Sequence, residues 1–153
     1  MISKKTKYGL QALLALARNH GAGPVLIADL AEQEQIPKKF LELILLQLKN
    51  AGILGSRKGK GGGYFLAKNP AQITMGSAVR VLDGTLAPVP CVSETAYQKC
   101  TECADEESCG IRLVMKDVRD AVADILDNTT LKEVLVRSSD ASKRANKVID
   151  YSI

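Results

Sequence analysis

Two short apolar runs enclose a turn built almost wholly of glycine and basic residues: Ile53-Leu54-Gly55-Ser56-Arg57-Lys58-Gly59-Lys60-Gly61-Gly62-Gly63-Tyr64-Phe65-Leu66. Strand-length segments on either side of a glycine-rich turn read as a β-hairpin. The segment just before it is the best-marked helix of the chain. Pro37 suits the first turn of a helix, and Leu41, Ile44, Leu45 and Leu48 follow the i, i+3, i+4, i+7 pattern of one buried face, while Lys38, Lys39, Glu42 and Lys49 fall largely off it. Asn50 to Gly52 ends that helix. A shorter helix over about Ala28 to Gln33 precedes it, and the Gln35-Ile36 turn joins the two. Helix, turn, helix and basic hairpin, in that order, are the parts of a winged helix-turn-helix, which docks one helix in a DNA groove.

Helical hairpins beside a β-ribbon also occur in domains that touch no nucleic acid. Charge separates the two readings. Residues 1–68 hold 11 Lys and Arg against 4 acids, net +7, whereas residues 69–153 hold 10 against 13, net −3. A polyanion suits the first half and not the second. The glycines also invite a phosphate-cradling reading. A P-loop requires a Lys-Ser or Lys-Thr ending, and a dinucleotide loop opens a helix; here the glycines lead into the strand-like Tyr64-Phe65-Leu66. On the third helix, Lys38 and Lys39 sit in the first turn, where a recognition helix meets bases and phosphates. Glu42 either accepts from a cytosine amino group or lies on a solvated face.

The rest of the chain is organised around short helices. Tyr8, Leu10, Leu13, Leu14 and Ala17 mark a first helix between Ser3, as N-cap, and Asn19, stopped by Gly21, Gly23 and Pro24. After Asn69-Pro70, Ile73-Thr74-Met75 leads into a helix containing Ala78, Val79, Val81 and Leu82 and closed by Asp83-Gly84. Pro88 and Pro90 break regularity. Ile111, Met115, Val118, Val122 and Ile125 form a heptad-like seam on a helix from Ile111 to Asp127. Thr130 and Glu133 form a capping box before a short helix, Leu131 to Arg137, and the polar stretch after Ser138 is expected to be loose. The expected fold class is mainly α with a small β wing: a winged helix-turn-helix domain over residues 1–70, a connecting helix and cysteine-rich loop over 71–110, a long dimerisation helix and short C-terminal helix over 111–137, and a polar tail over 138–153.

Cys91, Cys100, Cys103 and Cys109 give the spacing C-x8-C-x2-C-x5-C, in a segment with five acids, one lysine and few aliphatic residues. A chain of 153 residues buries enough surface to fold without disulfide staples. No apolar run approaches the roughly 20 residues of a membrane span, and Met1-Ile2-Ser3-Lys4-Lys5 lacks the apolar stretch of a signal peptide. A cytoplasmic protein is expected, and clustered cysteines there more often bind metal or sense oxidants than pair as disulfides. Four thiolates complete the coordination of zinc or of an iron–sulfur cluster. Structural zinc sites usually carry paired C-x2-C spacings, of which only Cys100 and Cys103 supply one. A ligand would also supply the order this segment lacks apolar residues to generate.

Taken together, Ile36-Pro37-Lys38-Lys39-Phe40-Leu41, Leu48, Ala51-Gly52-Ile53, Arg57-Lys58-Gly59-Lys60-Gly61-Gly62-Gly63-Tyr64 and the later cysteines resemble the Rrf2 family of bacterial transcription factors. The resemblance runs from about Ile2 to Leu135, with the glycine-rich wing its most specific part. It implies a homodimeric winged-helix protein that binds double-stranded DNA at a near-palindromic operator and acts most simply as a repressor. Lys38, Lys39 and Glu42 would face the major groove; Arg57 and Lys58, beside Lys60 in the wing, would reach the minor groove. Cluster-binding members carry three cysteines in a loop before the long helix, which Cys91, Cys103 and Cys109 resemble, with Cys100 an additional thiol that matches the middle position equally well, so that Cys100 or Cys103 is the candidate fourth ligand. Other members draw a fourth ligand from a histidine three residues after the last cysteine or from an N-terminal aspartate. Arg112 and Lys7 occupy those places, so the resemblance implies an all-cysteine site holding a [2Fe–2S] or [4Fe–4S] cluster. The alternatives are a cluster-free thiol-redox, zinc-binding or partner-controlled regulator of the same fold. An enzyme is not expected: His20, the single histidine, lies in a glycine-rich turn far along the chain from any cysteine.

Overall fold

A computed structural model describes residues 2–150, with side chains up to residue 147. Helix α1 (Lys4–Arg18) starts at Ser3, whose hydroxyl accepts from the Thr6 amide at 3.1 Å. The Ser3 amide and hydroxyl also donate to Asp83, fastening the start of α1 to the end of a later helix. Helices α2 (Ile27–Gln33) and α3 (Lys38–Asn50) meet at a tight turn. There Gln35 takes φ = 54° and the Ile36 amide returns to the Ala31 carbonyl at 2.9 Å. A left-handed residue just past a helix end is a common way to stop it. The apolar stripe expected on α3 is borne out, since Leu41, Ile44, Leu45 and Leu48 are all fully buried.

Strands β1 (Leu54–Arg57) and β2 (Gly63–Leu66) pair antiparallel with Leu54 opposite Leu66 and Arg57 opposite Gly63. The wing is tethered close to its turn, where the Tyr64 amide donates to the Val25 carbonyl at 2.8 Å and the Val25 amide returns to Tyr64 at 2.9 Å. Gly63 is required there twice over. Its φ of 139° is a glycine conformation, and a Cβ would collide with the Val25 carbonyl.

Helix α4 (Met75–Asp83) is capped by Thr74, and it adds Ala78, Val79 and Leu82 to the core built by α1, α2, α3 and the strands. Helix α5 (Gly110–Asp127) packs half-buried Leu126 against that core and buries no residue fully. Arg80 of α4 clamps its C-terminal end through a two-pronged pair with Asp127, which lies where a side chain on Gly76 would intrude. Helix α6 (Leu131–Asp150) begins at the capping box foreseen for Thr130 and Glu133. Its first residue, Leu131, is fully buried in the core.

The C-terminal helix corrects the sequence reading. It does not stop at Arg137 but continues to Asp150, through residues expected to form a loose tail; Tyr151 to Ile153 of that tail lie outside the described residues. No glycine or proline interrupts residues 131–150. Once Leu131 docks the first turn, each further residue adds a helical hydrogen bond without repeating the cost of nucleation. Asp140 and Arg144 are spaced as an acid before a base at i, i+4, which supports the exposed portion. Among the described residues no helix is long and apolar enough to cross a membrane.

Candidate DNA interface and cysteine cavity

The stripe that seats α3 in the core turns Lys38, Lys39, Glu42, Leu43 and Leu46 outward, and all five are exposed. Phe40, also on the outside, meets the Tyr8 ring edge-on with centroids 5.8 Å apart, and the Lys4 ammonium lies 5.6 Å over that same ring. Arg57, Lys58 and Lys60 stand exposed around the wing turn, where Gly59 and Gly61 adopt φ = 87° and 75° and the Gly62 amide donates to the Gly59 carbonyl at 3.0 Å. Among the described residues, none of Lys38, Lys39, Arg57, Lys58 and Lys60 makes an ion pair. A cation held by a neighbouring carboxylate has already spent its charge. These five have not.

The second site is the segment between α4 and α5. Its apolar anchor is Val92, buried beside Ser93. The Ser93 hydroxyl bonds that of Thr85 at 2.9 Å and accepts from the Ala96 amide at 2.9 Å. Beyond that anchor the loop is ordered by polar contacts in place of aliphatic ones. Tyr97 donates to Glu106 at 2.7 Å, and Glu106 also accepts from the Cys100 amide at 3.3 Å. The Tyr97 hydroxyl holds the Glu106 carboxyl below the usual carboxylate range. Asp105 is likewise held low, by the Ser108 side chain and the amides of Glu107 and Ser108.

This scaffold brings all four cysteines to one cavity of about 490 Å³, together with Pro90, Ile111 and Arg112. The Sγ atoms of Cys103 and Cys109 are 3.6 Å apart. Hydrogen bonding with the free thiols of Cys100 and then Cys109 pushes the Cys103 pKa up to about 12. Cys109 caps the start of α5, and the Arg112 amide lowers its thiol. Positive partial charge at a helix N-terminus favours a thiolate. The donor set suits an iron–sulfur cluster in kind: four cysteines line one space. Among the described residues no three potential ligands close to coordination distance of one another, so the thiols line the space without forming a finished coordination sphere. His20 is exposed at the far end of α1 and does not join them.

Sequence reasoning located the thiols but missed what connects them to the long helix. Arg112 donates to the Cys91 carbonyl at 3.4 Å, and Arg119 donates to the Val92 carbonyl at 2.6 Å while pairing with Asp120. No local spacing could have exposed bonds spanning 21 and 27 residues. Arg112 thus grips the loop's backbone from the first turn of α5. On the adjoining face α5 presents the predicted seam, with Ile111, Val118 and Ile125 at 70%, 41% and 61% exposure and Ile111 at the edge of the cavity.

An exposed helix and basic wing carried on a helical core define a winged-helix transcriptional regulator. The Rrf2 model, described as an iron-dependent transcriptional regulator, matches residues 2–137. The chain belongs to that family, whose members are regulators and not enzymes, bind DNA and are typically dimeric. It is 41% identical over 146 residues to an rrf2-like HTH-type transcriptional regulator of Rhodobacter capsulatus, covering 94% of this chain and 97% of that one. Among solved structures it is similar to CymR, the global cysteine regulator of B. subtilis, with TM-score 0.73, 34% identity and coverage of 88% and 95%. T. potens IscR is similar with TM-score 0.74, 29% identity and coverage of 92% and 90%.

Proposed function

We propose that this regulator is a homodimer whose affinity for a near-palindromic operator is set by an iron–sulfur cluster held by Cys91, Cys100, Cys103 and Cys109. Residues 1–70 form the reading head, residues 71–110 the sensing loop, and residues 111–137 the pairing region. Lys38, Lys39 and Glu42 of α3 face the major groove, and Arg57, Lys58 and Lys60 bring the wing to the backbone and minor groove. Two heads on one dimer engage half-sites about 34 Å apart, one turn of DNA. Occupying such a site blocks other proteins, which makes repression the simplest output.

The observation that carries the sensing half is that all four thiols line a single cavity on a loop bonded to α5. When bound, the cluster supplies a redox-responsive centre whose stability depends on iron and oxidants. The chain's own part is mechanical. Cys109 begins α5 itself, and Arg112 and Arg119 hold the loop carbonyls of Cys91 and Val92 against that helix. The ordering of the loop thereby bears on the helix whose seam joins the two copies, and hence on the spacing of the reading heads. A few kcal/mol between two arrangements is enough to change DNA affinity by an order of magnitude or more.

The test is isolation without oxygen, followed by absorption spectroscopy and iron and sulfide analysis. Brown protein with stoichiometric iron and acid-labile sulfide is expected, and the colour should be lost in Cys103→Ser. Colourless protein containing zinc, or no metal with thiols that titrate freely, would replace the cluster with zinc-binding, thiol-redox or partner-controlled regulation.

A further inference from the structure

Helix α3 carries more apolar residues than its core face can use. Leu41, Ile44, Leu45 and Leu48 fill that face and are wholly buried, yet Leu43 is 67% exposed and Leu46 48% exposed. With Lys39 and Asn50 they follow i, i+4, i+7, i+11, the ridge directly opposite the buried stripe. Rotating the helix to bury them would expose four core side chains, so the outward position is fixed by packing. Something outside the chain must cover them if they are to be covered at all.

The charge around this ridge selects the occupant. Lys38 and Lys39 open the helix and Arg57, Lys58 and Lys60 follow it in the wing, all exposed and none ion-paired among the described residues. A second copy presenting the same face would bring like charges together, whereas a polyanion would neutralise them. On the major-groove edges of DNA the apolar group available is the thymine C5-methyl. Leucine has no donor or acceptor with which to read anything else. Recognition helices contact bases through their N-terminal residues, and Leu43, the sixth residue of α3, is nearer that end than Leu46. We infer that Leu43 is a specificity-determining residue that packs on a thymine methyl in each half-site. Glu42, its neighbour, reads a polar base edge, and Leu46 shields the contact from water. This inference rests on the DNA-reading role given above to α3.

The test removes one methyl group. A tight-binding duplex is selected from a randomised library with the full-length wild-type protein, and each dT in turn is replaced by deoxyuridine. Wild type should lose about fourfold in affinity at one symmetric position per half-site, the worth of one buried methyl, and Leu43→Ala should bind the two duplexes equally. Because the side chain is exposed, the variant should melt with wild type. Indifference of wild type to every replacement, or an undiminished thymine preference in Leu43→Ala, would overturn the inference while leaving DNA binding intact. A changed sedimentation mass of DNA-free Leu43→Ala would overturn it in favour of a contact between copies. Failure of wild type to enrich any duplex would remove the DNA-reading role itself.

Discussion

Arg57 and Lys58 are the residues whose role the sequence makes plainest, because an uninterrupted basic turn needs no tertiary information to be noticed. What the structure adds is that both are exposed without ion pairs among the described residues, on a hairpin fastened at Gly63 and Tyr64 to Val25. The cations thus stand on a turn whose flanking strand is pinned. Replacing both with alanine is expected to weaken binding to every duplex sequence nearly uniformly. It should also reduce the slope of log affinity against log salt by about 2, since each phosphate contact contributes roughly 0.9. Titrations at several salt concentrations measure this, and an unchanged slope would exclude the wing from the phosphate backbone. Leu43 shows the opposite case. In sequence it merges into the apolar run of α3, and only the burial of Leu41, Ile44, Leu45 and Leu48 reveals that it faces away from the core.

Helix α5 divides its surface between two tasks. One face holds the cysteine loop through Arg112 and Arg119 and the end of α4 through Asp127, and the adjoining face offers the Ile111, Val118 and Ile125 seam. The heptad spacing was visible in the sequence. Whether the stripe packs within one chain was not, and its exposure now argues for a second copy. Val118→Asp combined with Ile125→Asp should weaken self-association more than tenfold, because two carboxylates would be desolvated at an apolar seam. Sedimentation equilibrium should then find monomer where wild type is expected to be dimer, and an unaltered dimer would assign the pairing to another surface. Helix α6 was the least legible element. Ser138 to Lys147 shows no apolar periodicity, so a pattern-based reading ends the helix at Arg137, although the chain only needs a docked first turn and uninterrupted backbone to continue.

Across the whole molecule the net charge of +7 in residues 1–68 and −3 beyond them separates the basic half that holds the proposed DNA face from the acidic half that holds the cysteines. The two are joined by side chains that local sequence patterns do not couple, Ser3 with Asp83 and Gln47 with the Val81 carbonyl, while Arg80 with Asp127 and Arg119 with the Val92 carbonyl tie α5 to α4 and to the cysteine loop. The winged helix was legible because its helical stripe and basic turn are local. The cavity was not, because it depends on Tyr97, Glu106 and Arg112 meeting across a loop with few apolar residues. If loop order and head spacing are linked through α5, the state of the thiols must register in DNA affinity. The selected duplex should therefore be titrated with anaerobically isolated protein before and after iron is chelated away. A change in affinity of at least tenfold, about 1.4 kcal/mol, is expected, and it should be absent from a variant with serine at Cys91, Cys100, Cys103 and Cys109. Equal affinity of the iron-loaded and iron-free wild-type dimers would contradict the linkage.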